Sequence, residues 1–270
     1  MPIVAMTQEM ASLGGPIGAG VARALGYDVL RHALIREAAR EYRVLEGRLV
    51  GAVERAPRLL ERLGRRARRY QIYLEAAVLE AALREEVVLM GRWSTLVLRG
   101  VRHAVRVRVC ASVEVRAGRV QERLGVDRQE AMRRIAAYDE GVRARMRQLF
   151  DVDWSDPLLY DLVINTDAVS VETAVGQLVG LARAVEFQPT EASRVDLASH
   201  ATAARVRATL KAAAATALTD LDVQAAGGRV RLAGLVGSDA EREAAVAVAR
   251  GVRGVTAVES DLKVFRRPVR

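Results

Sequence analysis

Apolar residues in the first two thirds of the chain gather in short, nearly unbroken runs separated by longer stretches of helical period. Ile3 to Met6, Val87 to Met90, Ala104 to Ala111 and Leu162 to Ile164 are four such runs. A strand covered by helices on both faces reads as a continuous apolar run, so this order predicts an α/β domain of three layers around a parallel sheet. The first run leads into a Gly-rich turn and a helix from Pro16 to Leu25, ended by Gly26.

The stretch from Glu186 to Arg194 has no sustained apolar period and contains Pro189, so it reads as a linker. The expected division is residues 1–185, a linker at 186–198, and a second domain at 199–270. In that domain His200 to Ala217 is alanine-rich and helical, and LDVQA and RVRLAGLV flank Ala226-Gly227-Gly228, a turn that suits a β-hairpin. Ser238, with Glu241 three positions on, starts a helix to about Val252, and Gly254 to Val264 makes a last strand. The pattern is αββαβ.

Composition narrows the function classes. The 270 residues are 51% hydrophobic, enough for two cores. No window reaches the roughly 18 apolar residues of a membrane span, and MPIVAMTQEM lacks a basic segment and cleavage site, so a cytoplasmic protein is expected. Cys110 is the single cysteine, and His32, His103 and His200 are scattered, so no disulfide or metal site is expected. The net charge is +9, with Lys211 and Lys263 as the only lysines, a bias that suggests a GC-rich genome. The excess is spread along the chain and aromatics are 4%, so neither nucleic acid nor membrane is an expected partner.

The candidate chemistry sits in the turn from Met10 to Gly18. A phosphate-cradling loop needs backbone N–H groups at a helix N-terminus, glycines, a Lys for the β/γ-phosphates and a Ser/Thr for magnesium. The first two are present and the last two are not. With its surroundings, "IVAMTQEMASLGGPIGAGVARALGYDVLRHALI", the turn resembles the opening of the cytidylate kinase-like proteins, with their Ser-Arg-Glu-Met-Gly-Ser type turn. The resemblance continues through "VVLMGRWSTLVLRGVRHAVRVRVCASVEVRAGRV" and "LFDVDWSDPLLYDLVINTDAVSVETAV" and spans nearly all of residues 1–185.

The resemblance implies a P-loop kinase fold, with Ser12, Leu13, Gly14 and Gly15 at the ATP phosphates and Gly91-Arg92 at the nucleoside monophosphate. It makes Arg116, Arg119, Arg123, Asp139 and Arg143 the catalytic candidates on a lid, with ATP and Mg2+ as cofactors if the protein is active. Arg116, Arg119 and Arg123 fall at i, i+3 and i+7, which would present three cations to one polyphosphate; the same spacing also describes a solvated arginine face. The departures lie in the loop. Gly15 stands at the basic position, Pro16 follows it, and Ala11 and Leu13 occupy small or glycine positions. Arg23 lies two turns into the helix, too far to replace the lost cation. Arg62, Arg65, Arg66, Arg68 and Arg69 precede Tyr70 and Tyr73 and read as an electropositive wall or a solvated face. Cys110 reads as a packed thiol, and the acidic pairs Glu85-Glu86 and Asp139-Glu140 are isolated in the sequence.

Residues 199–270 resemble a BON module, named for bacterial osmotically induced proteins, through "VRATL" and "LDVQAAGGRVRLAGLVGSDAEREAAVAVARGVRGVTAVESDLKV". That resemblance implies binding of an unidentified protein or small ligand, without catalysis. The expected function is nucleotide binding with weakened phosphoryl transfer from ATP to a CMP-like monophosphate. The alternative is an inactive pseudokinase serving as a regulatory scaffold.

Overall fold

The computed structural model of the chain describes residues 1–31, 33–54 and 65–265, with backbone alone at 52–54 and 65–67. In chain order the first domain comprises β1 (Ile3–Gln8), α1 (Gly14–Leu25), β2 (Asp28–Leu30), α2 (Ala33–Glu41), α3 (Glu46–Glu54), α4 (Arg65–Ala82) and β3 (Val87–Met90). It continues with α5 (Ser94–Val97), β4 (Ala104–Cys110), α6 (Val113–Leu124), α7 (Arg128–Phe150), β5 (Leu162–Asn165) and α8 (Val171–Arg183). The five strands are parallel, in the order β2-β3-β1-β4-β5. The sheet is the three-layer α/β architecture that the apolar runs predict. Only β2 has no counterpart in those runs: it is a three-residue edge strand with Asp28 and Val29 exposed, so no apolar run develops.

Alternate residues of a strand face opposite ways, and the two cores divide accordingly. Ile3 and Ala5 lie in one core with Leu34 and Ile35 of α2 and with Leu74 and Val78 of α4. Val4 and Met6 pack with Ile17 and Val21 of α1 and Leu178 of α8. On β4, Val105, Val107 and Val109 belong to the second core, and the alternation sends Arg106 and Arg108 to the other face.

The segment expected as a linker is partly helix. α9 runs Glu191–Ala212 from a capping box in which Thr190 accepts from the Ser193 N–H and Ser193 Oγ from the Thr190 N–H. Leu197, Ala201, Ala204 and Ala208 lie in the same core as α4, whereas Ala203, Val206 and Leu210 lie in the core of the C-terminal module. Between 191 and 198 only Ser193 and Leu197 are buried, so the first turns of the helix carry a single large apolar contact and mark no period, which is why they read as irregular. The helix also stops at Ala212, short of the expected Ala217.

The module continues with β6 (Leu221–Ala226), β7 (Arg229–Val236), α10 (Asp239–Arg250) and β8 (Ala257–Val264), in sheet order β6-β7-β8. Gly227 and Gly228 both have positive φ, 55° and 82°, as a two-residue hairpin turn requires. Ser238 caps α10 by accepting from the Glu241 N–H at 3.1 Å. The Glu241 carboxylate reaches back to the Gly237 N–H at 2.7 Å, one residue beyond the usual capping box.

Between α4 and β3 the backbone places two non-glycine residues, Glu85 and Glu86, at φ 51° and 48°. Glu85 is tied there, since its carboxylate receives Arg194 Nε at 2.6 Å and the Met1 ammonium at 2.9 Å. The hydrogen bond from Arg194 holds its carboxyl well down, at about 2. Glu86 is exposed and contributes only its backbone carbonyl, to the Asp28 N–H. A left-handed L-residue costs about 1–2 kcal/mol, part of which glycine returns through the entropy of the unfolded chain. Glu86→Gly is therefore expected to raise stability by about 0.5–1 kcal/mol, read as a higher urea midpoint; a lower midpoint would show that the turn is not strained.

Candidate nucleotide site

The site lies at the carboxyl ends of the parallel strands, where open α/β sheets bind ligands. After β1 the chain turns through Ala11 and Leu13, both left-handed at φ 60° and 65°, and enters α1. Leu13 is the N-cap and offers no side-chain acceptor, and the first turn of α1 carries no acidic residue. The N-terminus of the helix dipole therefore faces the loop without a compensating side chain. Pro16 subtracts one donor. The Ser12 side chain does not join the loop's inner surface: it is fully buried, and its hydroxyl bonds to the carbonyls of Glu9 and Val109, both at 2.9 Å. Gly14 is close against Gln8, whose Oε1 would lie 2.3 Å from an added Cβ, whereas an added Cβ at Gly15 would meet nothing within 4 Å.

Beside the loop is a cavity of about 130 Å3 between the strand ends, α2 and α4. Its walls are Leu34, Ile35, Leu74, Val78 and Trp93, and Arg31 and Arg92 supply its cations. Among the described residues no carboxylate lines it. The Arg92 guanidinium lies over the Tyr138 ring at 4.6 Å, and the Tyr138 hydroxyl donates to the Gln8 carbonyl at 3.3 Å. The Gly91-Arg92 pair thus lines the cavity. Arg31, Trp93 and Tyr138 were not anticipated, because residues from three separate elements meet only once the sheet is assembled.

The lid arginines are placed differently from the expectation of three cations aimed at one polyphosphate. Arg116 is only 3% exposed and makes a two-point pair with Asp139, at 3.0 and 2.8 Å. Its Nε lies 3.5 Å from Glu9, which also takes Arg108 at 2.6 Å. Arg119 donates to the Ala11 carbonyl at 3.2 Å, to Thr166 Oγ1 at 3.0 Å and to the Thr166 carbonyl at 2.6 Å, bracing α6 against the loop and the end of β5. Arg123 and Arg143 are exposed, and neither lines the cavity. Spacing along α6 gave Arg116 and Arg119 a common helix face, but the facing groups turned out to be carboxylates and carbonyls of the protein itself. Glu9 and Arg108 were missed although the alternation RVRV marked Arg108 as facing away from the valine core.

Magnesium does not fit the groups the loop offers. The Ser12 hydroxyl is turned inward, Pro16 has none, and the Glu9 carboxylate is held by Arg108 and Arg116. Among the described residues there is no cluster of three candidate ligands elsewhere. The DWSDPLLYD segment is structural: Trp154 Nε1 donates to Thr7 Oγ1, Tyr160 to the Trp154 carbonyl, and Arg106 pairs with Asp161 at 2.7 Å. Cys110 is half-buried rather than packed away, with burial pushing its thiol up. In the basic run, Arg62 lies outside the described residues, as do the side chains of Arg65 and Arg66, and His32 also lies outside them. Arg68 is exposed, and Arg69 donates to the Tyr73 hydroxyl at 2.6 Å. No described helix is long and apolar enough to cross a membrane.

Cytidylate kinases of Methanopyrus kandleri and Pyrobaculum aerophilum are 37% and 33% identical over 95 and 102 residues, covering 32% and 38% of this chain and 49% and 55% of theirs. The chain spans about half the length of the curated relatives it matches. An uncharacterized protein from Eubacterium ventriosum shares the fold, with a TM-score of 0.53 at 18% identity over 67% of this chain and 98% of that one. Residues 199–265 match the BON domain model. The model of the cytidylate kinase-like family matches residues 3–168, more than half of the chain, and the chain belongs to that family.

Proposed function

We propose that the first domain binds a nucleoside monophosphate, CMP-like, in the cavity and transfers phosphate to it from ATP slowly. The observation that carries this reading is the cavity itself: two arginines and an apolar wall beside an α1 N-terminus that no side chain caps. Arg92 and Arg31 would hold the phosphate ester, and the N–H groups of Gly14 and Gly15 would face the donor phosphates. The loop does not offer magnesium its ligands, so the positive charge at the site is that of the arginines and the helix N-terminus. ATP as donor favours a cytoplasmic setting. The BON module adds a binding end for a protein or small ligand.

A non-catalytic scaffold is the second reading, favoured by Gly15 at the basic position and by Arg116 and Arg119 being committed to the protein's own groups. Calorimetry with CMP tests the binding reading. Charge-assisted hydrogen bonds contribute about 1.5–3 kcal/mol, so Arg92→Ala is expected to weaken CMP binding about tenfold or more. Equal affinity in the variant would remove Arg92 from the site, and no binding to wild type at millimolar CMP would leave the scaffold reading.

A further inference from the structure

Helix α4 belongs to two sites at once. Leu74 and Val78, one turn apart, line the cavity. Ala76 and Leu79 lie on the other side of the helix, in the core that Leu197, Ala201, Ala204 and Ala208 of α9 enter. Two acidic residues flank that packed seam. Glu75 pairs with Arg207 at 2.9 Å, and Glu80 pairs with both Arg205 of α9 and Arg253 of the turn between α10 and β8. Arg205 also donates to the Arg253 carbonyl at 2.7 Å, so one carboxylate gathers the helix and the body of the C-terminal module. Arg207 reaches further into the module, to the Val223 carbonyl of β6 at 3.3 Å.

We infer that the C-terminal module regulates the cavity through α4: docking of the module on α4 and affinity for the phosphate ester rise and fall together. The inference rests on the reading of the cavity as a phosphate-ester site. Its physical basis is that close-packed seams shift between discrete arrangements and do not deform continuously. Alanines at 201, 204 and 208 bring the helices together, so α4 cannot move its Leu74 and Val78 face without disturbing the seam and the Glu80 pairs. Linkage makes the coupling reciprocal, so a partner that prefers the undocked module would weaken binding in the cavity, and a ligand in the cavity would tighten docking.

The test uses the full chain with Glu80→Arg, which repels both arginines, and separately Arg253→Ala, which removes only the arm from the module. Neither residue lines the cavity. Amide hydrogen exchange is followed without ligand at residues 91–94, which line the cavity, and CMP is titrated in parallel. The expected result is faster exchange at 91–94 in Glu80→Arg, a smaller effect in Arg253→Ala, and CMP affinity reduced roughly fivefold or more in the first. Reversing the partners as well, with Arg205→Glu and Arg253→Glu, is expected to recover both readouts. Exchange at 91–94 that matches wild type in both variants overturns the inference, whatever CMP does. Faster exchange in a protein whose wild type does not bind CMP would leave the coupling standing and remove the phosphate-ester reading instead.

Discussion

With ATP, magnesium and CMP, turnover by the wild-type chain is expected to fall at least about a hundredfold below the roughly ten per second of an ordinary enzyme. Phosphoryl transfer depends on positioned charge, and losing one preorganised phosphate contact costs on the order of 3 kcal/mol or more. The proposed site is expected to lack that contact, because the resemblance puts Gly15 at the basic position of the turn and Pro16 supplies neither hydroxyl nor N–H. Arg116 and Arg119, which contact Glu9 and Ala11 beside the loop, already hold Asp139 and Thr166. Gly15→Lys with Pro16→Ser is expected to raise the rate. The new side chain at 15 would enter open space at a backbone conformation without positive φ, so the change adds charge without a clash. A coupled assay reads both results. Ordinary turnover by the wild type would mean that another group supplies the cation, most directly Arg31 or Arg92.

Leu197→Ala is expected to destabilise the whole chain by about 3 kcal/mol, within the range for deleting a buried leucine side chain. Leu197 is 2% exposed in the seam with α4. A residue in a solvated linker would change stability by less than about 0.5 kcal/mol, so urea unfolding distinguishes the two descriptions of residues 191–198. Because α9 contributes to both cores, the wild type is also expected to unfold in one transition, and two separated transitions would show that the module folds independently of α4.

What the sequence by itself determined was whatever local pattern enforces. β3 falls on the run Val87 to Met90, because a strand buried on both faces must be apolar throughout. Gly227-Gly228 gave the hairpin, because only such residues enter its turn cheaply, and Ser238 gave the start of α10 by capping it. The glycine turn and Gly91-Arg92 were legible as candidates for the same reason: each is a motif of a few consecutive residues. Tertiary structure decided the rest. Whether Arg116 faces a ligand or Asp139 depends on how α6 meets α7, 23 residues away, and spacing along one helix carries no information about the partner. Glu85, isolated in sequence, became the meeting point of Met1 and Arg194, and Glu80 that of Arg205 and Arg253. Residues 191–198 looked irregular because only Ser193 and Leu197 of that stretch are buried, and the place of Leu197 against α4 is decided by tertiary packing rather than by a repeating apolar face.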